Sequence, residues 1–389
     1  MEFKQKNIVE ANKLYKMPFN GINTPHVVIE VNQKCNISCK ACYKDKFNYT
    51  KPLDEIKNEI DFAIGKRNLH VITLAGGEPT LHPDLPEIIK YISEKGILVS
   101  LLSNGFALTD RKLKEYKEAK LTKIYLHIDA NQTRSDLIEN PSEQDLIELR
   151  ASISKKILSH KIQCALEVTL YQSTFTYFKD FIGDFFTNRL HQKLLVTCCT
   201  NLEGIACLTN PENKPPDATL DKEVVTNKEV ISYLYENFKL LPYSYIPSNK
   251  DDNELRWLFY LTFVIQLKNG KTKILHTNTH FKHIAKKEND LFFKITGKYP
   301  FDIMWSKKQL FSRCLMFSIY SLNPLVIFKT ILFLTNLLKS GSYFSFKSMC
   351  FQQFPNLTLN NEIEICKDCP DITVRNNKLV PVCLVDIVD

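Results

Sequence analysis

Short apolar runs alternate with amphipathic segments between residues 26 and 200. Apolar runs of this length predict strands, and segments with helical periodicity predict helices, so the pattern indicates six successive βα units. Such units favour an α/β fold with a parallel sheet and helices outside it, and the pattern alone fits an open sheet or a partial barrel. The predicted strands are 26–31, 70–75, 97–102, 123–128, 163–170 and 194–198, and the predicted helices are 53–66, 84–95, 110–119, 144–158 and 175–188.

The regular alternation ends near residue 200. Asn269-Gly270 stands between the strand-like runs 256–267 and 272–277, and this dipeptide between two such runs predicts a β-hairpin. We therefore expect an α+β appendage after the core. The predicted segments are an N-terminal arm (1–25), the βα core (26–200), a hairpin and apolar-helix region (201–345) and a C-terminal segment (346–389).

Residues 310–338 form the most apolar stretch of the chain. Lys329 and Thr330 interrupt it, so no run reaches the roughly twenty apolar residues of a membrane-spanning helix. Two interpretations stay open. The stretch is either a buried helix of the appendage, or an interfacial helix that contacts a membrane surface or a lipid-like substrate.

Three cysteines, Cys35, Cys39 and Cys42, follow the first predicted strand on one loop. Thiolates spaced this closely can converge on one inorganic centre, and soft sulfur selects iron–sulfur clusters or zinc. Three ligands are one short of a closed structural zinc site. The spacing therefore favours an iron–sulfur cluster with one open iron over a structural metal site.

Composition adds few constraints. The 389-residue chain is 44% hydrophobic and 24% charged, which is ordinary for a globular protein. Its net charge of +8 comes from scattered lysines without a recognition motif, so we expect a solvated surface and no nucleic-acid partner. Six of the twelve cysteines fall into two close groups rather than a disulfide framework. Metal-bound thiols indicate a reducing, cytoplasmic location.

The cysteine spacing, followed by Tyr43, and the turn Gly76-Gly77-Glu78-Pro79 after the second predicted strand resemble two motifs of radical S-adenosylmethionine (SAM) enzymes. The resemblance implies a partial (βα)6 TIM-like barrel. It implies that the three cysteines hold a [4Fe–4S] cluster whose fourth iron binds the amino and carboxylate groups of SAM. It also implies that the glycine-rich turn receives the methionine end of the cofactor.

Further cofactor contacts are expected at the carboxyl ends of the predicted strands. The resemblance places Glu78 beside the SAM ammonium, and Ser103 and Asn104 as hydrogen-bond donors to the cofactor. Asp129 is expected either to bind the ribose of SAM or to cap a helix. Glu167 alternates with Thr169 on its strand, so both side chains are expected to face the barrel interior.

A second cysteine group, Cys366, Cys369 and Cys383, has the spacing Cys-x2-Cys-x13-Cys. It resembles the auxiliary-cluster motif of the molybdenum-cofactor GTP 3′,8-cyclase and of SPASM/twitch-type enzymes, which implies a second [4Fe–4S] cluster. A structural zinc is the alternative. Cys350 is a candidate fourth ligand. With it the cluster would relay electrons, and without it an open iron would bind the substrate.

The resemblance as a whole implies a radical SAM enzyme that cleaves SAM reductively to a 5′-deoxyadenosyl radical and abstracts hydrogen from a substrate. The expected substrate is a peptide, a protein or a small molecule, with a lipid as the alternative. The expected partner is an electron donor such as flavodoxin or ferredoxin. The hypothesis from another class is a non-catalytic iron–sulfur or zinc protein that senses redox state or binds a partner.

Overall fold

The computed structural model describes residues 8–42, 44, 47–202, 205, 218–302, 307–338, 342–358, 360 and 362–386. The strands are β1 (Tyr15–Lys16), β2 (His26–Asn32), β3 (Ser38–Cys39), β4 (Val71–Gly76), β5 (Leu98–Ser103), β6 (Lys123–His127), β7 (Gln132–Thr133), β8 (Gln163–Leu170), β9 (Lys193–Cys198), β10 (Ser244–Pro247), β11 (Leu255–Gln266), β12 (Thr272–His276), β13 (Tyr343–Gln353), β14 (Asn356–Leu357), β15 (Ile363–Glu364), β16 (Ile372–Arg375) and β17 (Lys378–Pro381).

Helices separate the strands of the first half and cluster again near the end. They are α1 (Leu53–Lys66), α2 (Leu85–Glu94), α3 (Asp110–Glu118), α4 (Glu143–Ser159), α5 (Phe175–Thr187), α6 (Ala218–Asp221), α7 (Asn227–Phe238), α8 (Lys282–Thr296), α9 (Lys307–Tyr320) and α10 (Pro324–Leu334). The six strands and five helices expected before residue 200 are confirmed, and their ends differ from the predicted ones by no more than a residue or so.

One sheet contains most of the strands, in the order β1-β10-β11-β13-β9-β8-β6-β5-β4-β2, with β12 paired to β11. The neighbours from β2 to β9 are all parallel. In the described part of the chain β1 and β2, at the two ends of this order, are not paired with each other, so the sheet is an open partial barrel. The predicted α/β class with a largely parallel sheet is confirmed.

The strands of the barrel are buried on both faces. Val27 and Ile29 of β2 pack with Ile56 and Ile60 of α1 in the main core, while Val28 points to the opposite side. Parallel strands covered by helices are apolar on both faces, which explains why hydropathy located them so well. The interior face is left free to carry the polar side chains of a site.

The sheet does not stop at residue 200. Strand β13 adds to β9 in parallel, and β11 pairs with β13 in the antiparallel direction. The predicted hairpin is confirmed as β11 and β12, and Gly270 adopts a φ of +79° in its turn. The division of the chain into four segments stays a prediction, and strands from all four predicted segments take part in the one large sheet.

The C-terminal segment folds back over the barrel. Strands β16 and β17 form a hairpin beside β2, and Asn376 and Asn377 occupy its turn with φ values of 50° and 55°. Asparagine tolerates this left-handed geometry better than most residues. Val382, just after the hairpin, packs on Val28 and Ala75 inside the barrel. The second cysteine group is thereby brought to the barrel interior.

Helices α9 and α10 form a second core with the far end of β11. Leu310, Phe317 and Phe333 are buried there beside Phe263 and Phe346. The opposite faces of both helices are exposed, so the interpretation of residues 310–338 as a buried helix holds for the inner faces only. None of the helices in the described ranges combines the length and apolarity that crossing a bilayer requires.

Candidate active site

The first cysteine loop is held at the carboxyl end of the barrel strands. Cys39 in β3 pairs with Gln132 in β7, immediately after β6. The Lys40 backbone N–H donates a 3.0 Å hydrogen bond to the Asn131 carbonyl oxygen. These backbone contacts hold the loop above β6.

The glycine-rich turn lies directly against the start of this loop. The Gly77 N–H donates to the Asn32 carbonyl oxygen at 2.9 Å, and the Glu78 N–H donates to the Lys34 carbonyl oxygen at 2.8 Å. A Cβ on Gly77 would lie 2.2 Å from the Lys34 oxygen, and one on Gly76 would lie 2.3 Å from the Asn32 oxygen. Any side chain would therefore push the turn away from the loop, so both positions require glycine.

Glu78 locks the ends of β4 and β5 together. Its side chain is buried, and Oε1 accepts hydrogen bonds from the Thr80 N–H at 3.1 Å and the Ser103 hydroxyl at 2.8 Å. Oε2 accepts from the Asn104 N–H at 2.8 Å. Burial raises the pKa of Glu78, and these hydrogen bonds oppose that rise. Its predicted place beside the SAM ammonium stays a prediction.

Asn104 connects β5 to the cysteine loop. Its Nδ2 donates to Asn36 Oδ1 at 2.8 Å and lies 4.0 Å from Cys35 Sγ. An amide at this distance from a thiol is placed to donate a weak hydrogen bond to a thiolate sulfur. Ser103 differs, because its hydroxyl already donates to Glu78. Both predicted donors thus bind Glu78, and the side-chain amide of Asn104 also reaches the cysteine loop.

Asp129 lies at the end of β6 and is buried. Its Oδ2 is 2.9 Å from His127 Nε2, and its Oδ1 accepts from the Asn131 N–H at 3.0 Å. Burial would raise the pKa of Asp129, but the bond to His127 holds it below its ordinary value. Burial likewise opposes the charge on His127, yet the same bond raises its pKa. The sequence analysis did not single out His127. The only sequence feature that pointed to it was its position at the end of a predicted strand, two residues before Asp129.

Glu167 is an unpaired carboxylate inside the barrel. Its Oε2 is buried and has no hydrogen-bond partner among the described residues. Burial raises the pKa of Glu167 to about 7, and nearby His127 lowers it while Asp371 raises it. The prediction that Glu167 faces the interior agrees with its place in the wall of the central cavity.

We predict that Glu167→Gln makes the protein more stable above pH 7. The folded-state pKa of about 7 exceeds the ordinary 4.5, so wild-type stability falls as pH rises between these values. The variant lacks this loss, and its free energy of unfolding should exceed that of wild type by about 3 kcal/mol at pH 8 and by little near pH 4.5. Urea denaturation across this pH range measures the difference. An equal advantage at every pH would contradict the buried charge.

The first group of thiols fits a cluster by its chemistry. Cys35 and Cys39 are partly buried, Cys42 is exposed, and none of them forms a disulfide. In the part of the chain that the structure describes, no three His, Cys, Asp or Glu side chains are grouped closely enough to hold a metal ion. Ligation at either cysteine group therefore requires side-chain rotation. Three half-exposed thiols on an anchored loop provide the donor set of a [4Fe–4S] cluster.

The second cysteine group lines an internal cavity of about 290 Å³. Cys366, Cys369 and Cys383 reach it from the C-terminal segment, and Cys350 reaches it from β13. The Cys369 thiol shares a hydrogen bond with Cys366, which lowers the pKa of Cys366. Cys350 and Cys366 also pack on the same small apolar cluster around Trp257. All four thiols thus face one space.

Two buried arginines flank this cavity. Arg67 donates to the Cys369 carbonyl oxygen at 3.0 Å and to the His26 carbonyl oxygen at 2.9 Å. Arg256 is buried and close enough to Cys366 to lower the pKa of its thiol. Positive charges near thiolates stabilise the anionic form. Sequence reasoning missed both arginines, because each is remote in sequence from the cysteines it adjoins.

The cavity connects the barrel interior to the appendage. Its wall combines apolar side chains of the barrel strands, such as Val28, Ala75 and Leu102, with the polar groups of Tyr125 and Glu167. A mostly apolar pocket with a few polar groups is typical of small-ligand sites. The arrangement offers a mostly apolar space beside the second cysteine group.

A buried ion network joins the segments that carry the two cysteine groups. Lys44, two residues after Cys42, lies 3.1 Å from Glu30 of β2 and 2.6 Å from Asp386 beyond Cys383. The Lys44 side chain is 1% exposed. Removing one member of such a network leaves an uncompensated buried charge. These ion pairs therefore hold the first cysteine loop against the C-terminal segment that carries Cys383.

We predict that Lys44→Met lowers the free energy of unfolding by about 3 kcal/mol, because it removes the buried cation between Glu30 and Asp386 and leaves them only the more exposed Arg375 as a cationic partner. Urea denaturation of anaerobically purified protein measures the change. Lys90→Met is the matched control, since its ion pair with Glu94 is well exposed and contributes little. Equal effects of the two substitutions would show that the Lys44 network does not stabilise the fold.

Comparisons with known proteins identify the same core. Residues 29–157 match the sequence profile of the Radical SAM superfamily. Over 138 residues the chain is 34% identical to the 7,8-dihydro-6-hydroxymethylpterin dimethyltransferase of Methanocaldococcus jannaschii. This alignment covers 31% of this chain and 26% of that protein. Over 110 residues it is 33% identical to the probable GTP 3′,8-cyclase of Methanococcus maripaludis. That alignment covers 26% of this chain and 35% of the cyclase.

Among solved structures, anSMEcpe with bound AdoMet aligns over 55% of this chain and 58% of that chain, with a TM-score of 0.40 and 16% identity. The matched regions span about a quarter to a third of the two curated relatives. The similarity is therefore concentrated in the part of the barrel that carries the first cysteine loop and the glycine-rich turn.

Proposed function

Because this chain belongs to the radical SAM superfamily, we propose that it is an enzyme that cleaves SAM reductively. Cys35, Cys39 and Cys42 would hold a [4Fe–4S] cluster, and SAM would lie against the turn that contains Gly77. When bound, the cluster and SAM supply a 5′-deoxyadenosyl radical that abstracts a hydrogen atom from the substrate. The chain itself binds and orients the cofactors and the substrate, and it excludes water from them.

The contact between the glycine-rich turn and the cysteine loop carries this proposal. A side chain on Gly76 or Gly77 would collide with backbone oxygens of the loop, so the sequence is adapted to hold the two motifs together. The contact lies at the carboxyl ends of parallel strands, where barrel enzymes place their active sites. A purely structural metal loop would not require this turn.

The surrounding residues have separate roles in the proposed site. Glu78 positions the turn through Ser103 and Asn104, and the Asn104 amide donates toward Cys35. Asp129 orders the end of β6 and, through His127, the neighbouring β8. The interior below these groups is lined mostly by apolar side chains, which keeps water away from a radical.

The second cysteine group supports an auxiliary cluster with four thiolate ligands. Cys366, Cys369 and Cys383 share the cavity with Cys350, and Arg67 and Arg256 provide positive charge beside it. A [4Fe–4S] cluster with four cysteines has no open iron. We therefore favour electron relay over substrate binding at this cluster.

The cavity size favours a small substrate group. A space of about 290 Å³ accommodates a small molecule or one side chain of a peptide, with its polar part near Glu167 and Tyr125. An external donor such as flavodoxin or ferredoxin would supply the electron. The described cysteines form no disulfide, in keeping with the reducing, cytoplasmic location that we predict.

Anaerobic incubation with SAM and dithionite tests the proposal. The reconstituted protein should release methionine and 5′-deoxyadenosine, both measured by mass spectrometry, whereas a redox-sensing or partner-binding iron–sulfur protein should release neither. Iron-loaded protein that leaves SAM intact under these conditions would refute the enzymatic function.

A further inference from the structure

Helices α9 and α10 expose a large apolar surface. On α9 and the following turn, exposed apolar side chains recur every three or four residues, and Leu322 in the turn is 86% exposed. α10 packs against α9 and has exposed apolar side chains of its own. We define this surface, here called the apolar face, by Phe311, Leu315, Ile319, Leu322, Leu325 and Phe328.

The fold does not need this face for its core. The inner sides of the two helices already bury Leu310, Phe317 and Phe333. A surface helix normally places polar residues outward, opposite the side that packs on the core. Here both sides are apolar, and contiguous exposed patches of this kind mark interaction surfaces.

The helices of the apolar face carry only basic charges. α9, α10 and the turn between them contain four basic residues and no acidic one, although Arg313 of α9 pairs with Glu288 of the neighbouring α8. Lys308 and Lys329 are exposed on α9 and α10. Lys287 of the neighbouring α8 contacts the ring of Tyr320 at 4.1 Å. Apolar side chains flanked by lysines complement an anionic lipid surface, where the lysines meet phosphates.

We propose that the apolar face binds the surface of a membrane rich in anionic lipids. Leu322 and its apolar neighbours enter the headgroup region, and Lys308 and Lys329 lie at the level of the lipid phosphates. A second copy of the chain is a poorer occupant, because α9 and α10 of both copies would bring basic charges to the contact. This proposal does not depend on the proposed reaction.

Vesicle flotation with the full-length, iron-loaded chain tests the proposal. The wild-type protein should float with vesicles of phosphatidylcholine containing about one-third phosphatidylglycerol at least tenfold more than with phosphatidylcholine alone, since each lysine near an anionic surface contributes about 1 kcal/mol. Raised salt should reduce the difference, because it screens the lysines.

Two variants locate the contact. Ile319→Glu/Leu322→Glu should reduce flotation at least tenfold, whereas the control Ile22→Glu/Ile138→Glu changes two exposed isoleucines elsewhere and should leave it unchanged. Lys308→Glu/Lys329→Glu alters only exposed charges and should also reduce flotation. It keeps the test valid if the first variant fails to fold.

Three results would overturn the proposal. The first is no flotation of the wild-type protein with anionic vesicles. The second is equal flotation of the wild-type protein and of the folded variants of the apolar face. The third is a stable dimer on gel filtration that the Ile319→Glu/Leu322→Glu variant abolishes, which would assign the face to a second copy instead.

Discussion

A Cys39→Ala variant is expected to release 5′-deoxyadenosine only at background level. Changes to residues that merely support metal ligands reduce activity by about 10- to 100-fold, so loss of a ligand should exceed about a hundredfold. The variant should also bind about four fewer irons per chain, since the loop then lacks one of its three thiolates. Iron analysis and mass spectrometry of the nucleoside measure the two effects.

This substitution should leave the loop folded. Cys39 pairs with Gln132 through the backbone, and alanine preserves those hydrogen bonds. Cys314→Ala is the matched control, because Cys314 is buried in the second core and faces neither cysteine group. The control should retain iron and activity. Undiminished nucleoside release from folded Cys39→Ala protein would exclude the loop as the cluster site.

Loss of the second cysteine group is expected to halve the iron content. Anaerobically purified wild-type protein should hold about eight irons per chain, and Cys366→Ala/Cys369→Ala about four. SAM cleavage with dithionite should persist in the double variant, because the first loop is intact, while turnover of the substrate should stop. Zinc in place of iron at this group would replace the electron-relay role with a structural one.

Cys350→Ala distinguishes a closed cluster from an open one. If four thiolates hold the second cluster, the Cys350→Ala variant should bind less iron than the wild-type protein, or its second cluster should give a shifted electron paramagnetic resonance spectrum. Cys164→Ala serves as the control, since Cys164 lies on β8 beside Ser154. An unchanged spectrum in Cys350→Ala would leave three thiolate ligands and restore substrate binding at an open iron.

Local patterns were sufficient to predict the strands and helices of the core, whereas the choice of a partial barrel over an open sheet came from the family resemblance. The six parallel strands β2, β4, β5, β6, β8 and β9 are mostly apolar and buried, and each intervening helix has one buried face, as Ile56 and Ile60 show in α1. These features depend on residues close in sequence. The glycine pair after β4 was also identified as a motif, whereas its close approach to the backbone of Lys34 was not predicted.

Contacts between distant residues could not be predicted in this way. The pairing of β13 with β9 joins segments about 150 residues apart, and nothing in either segment specifies the other. Arg67 contacts Cys369 through a carbonyl oxygen, which leaves no trace in side-chain spacing. The partners of Glu78 were inferred from the family as cofactor atoms, whereas the structure places Ser103 and Asn104 around it.

The continuity of the sheet limits how the chain can be shortened. Ending it after residue 200 would strip β13 from β9 and leave the Lys193–Cys198 edge unpaired, with its apolar residues open to other chains. Unprotected edges of this kind promote aggregation. A soluble fragment for crystallisation or spectroscopy should therefore retain β11 and β13, and insertions or tags are better placed in exposed turns such as the one at Gly270.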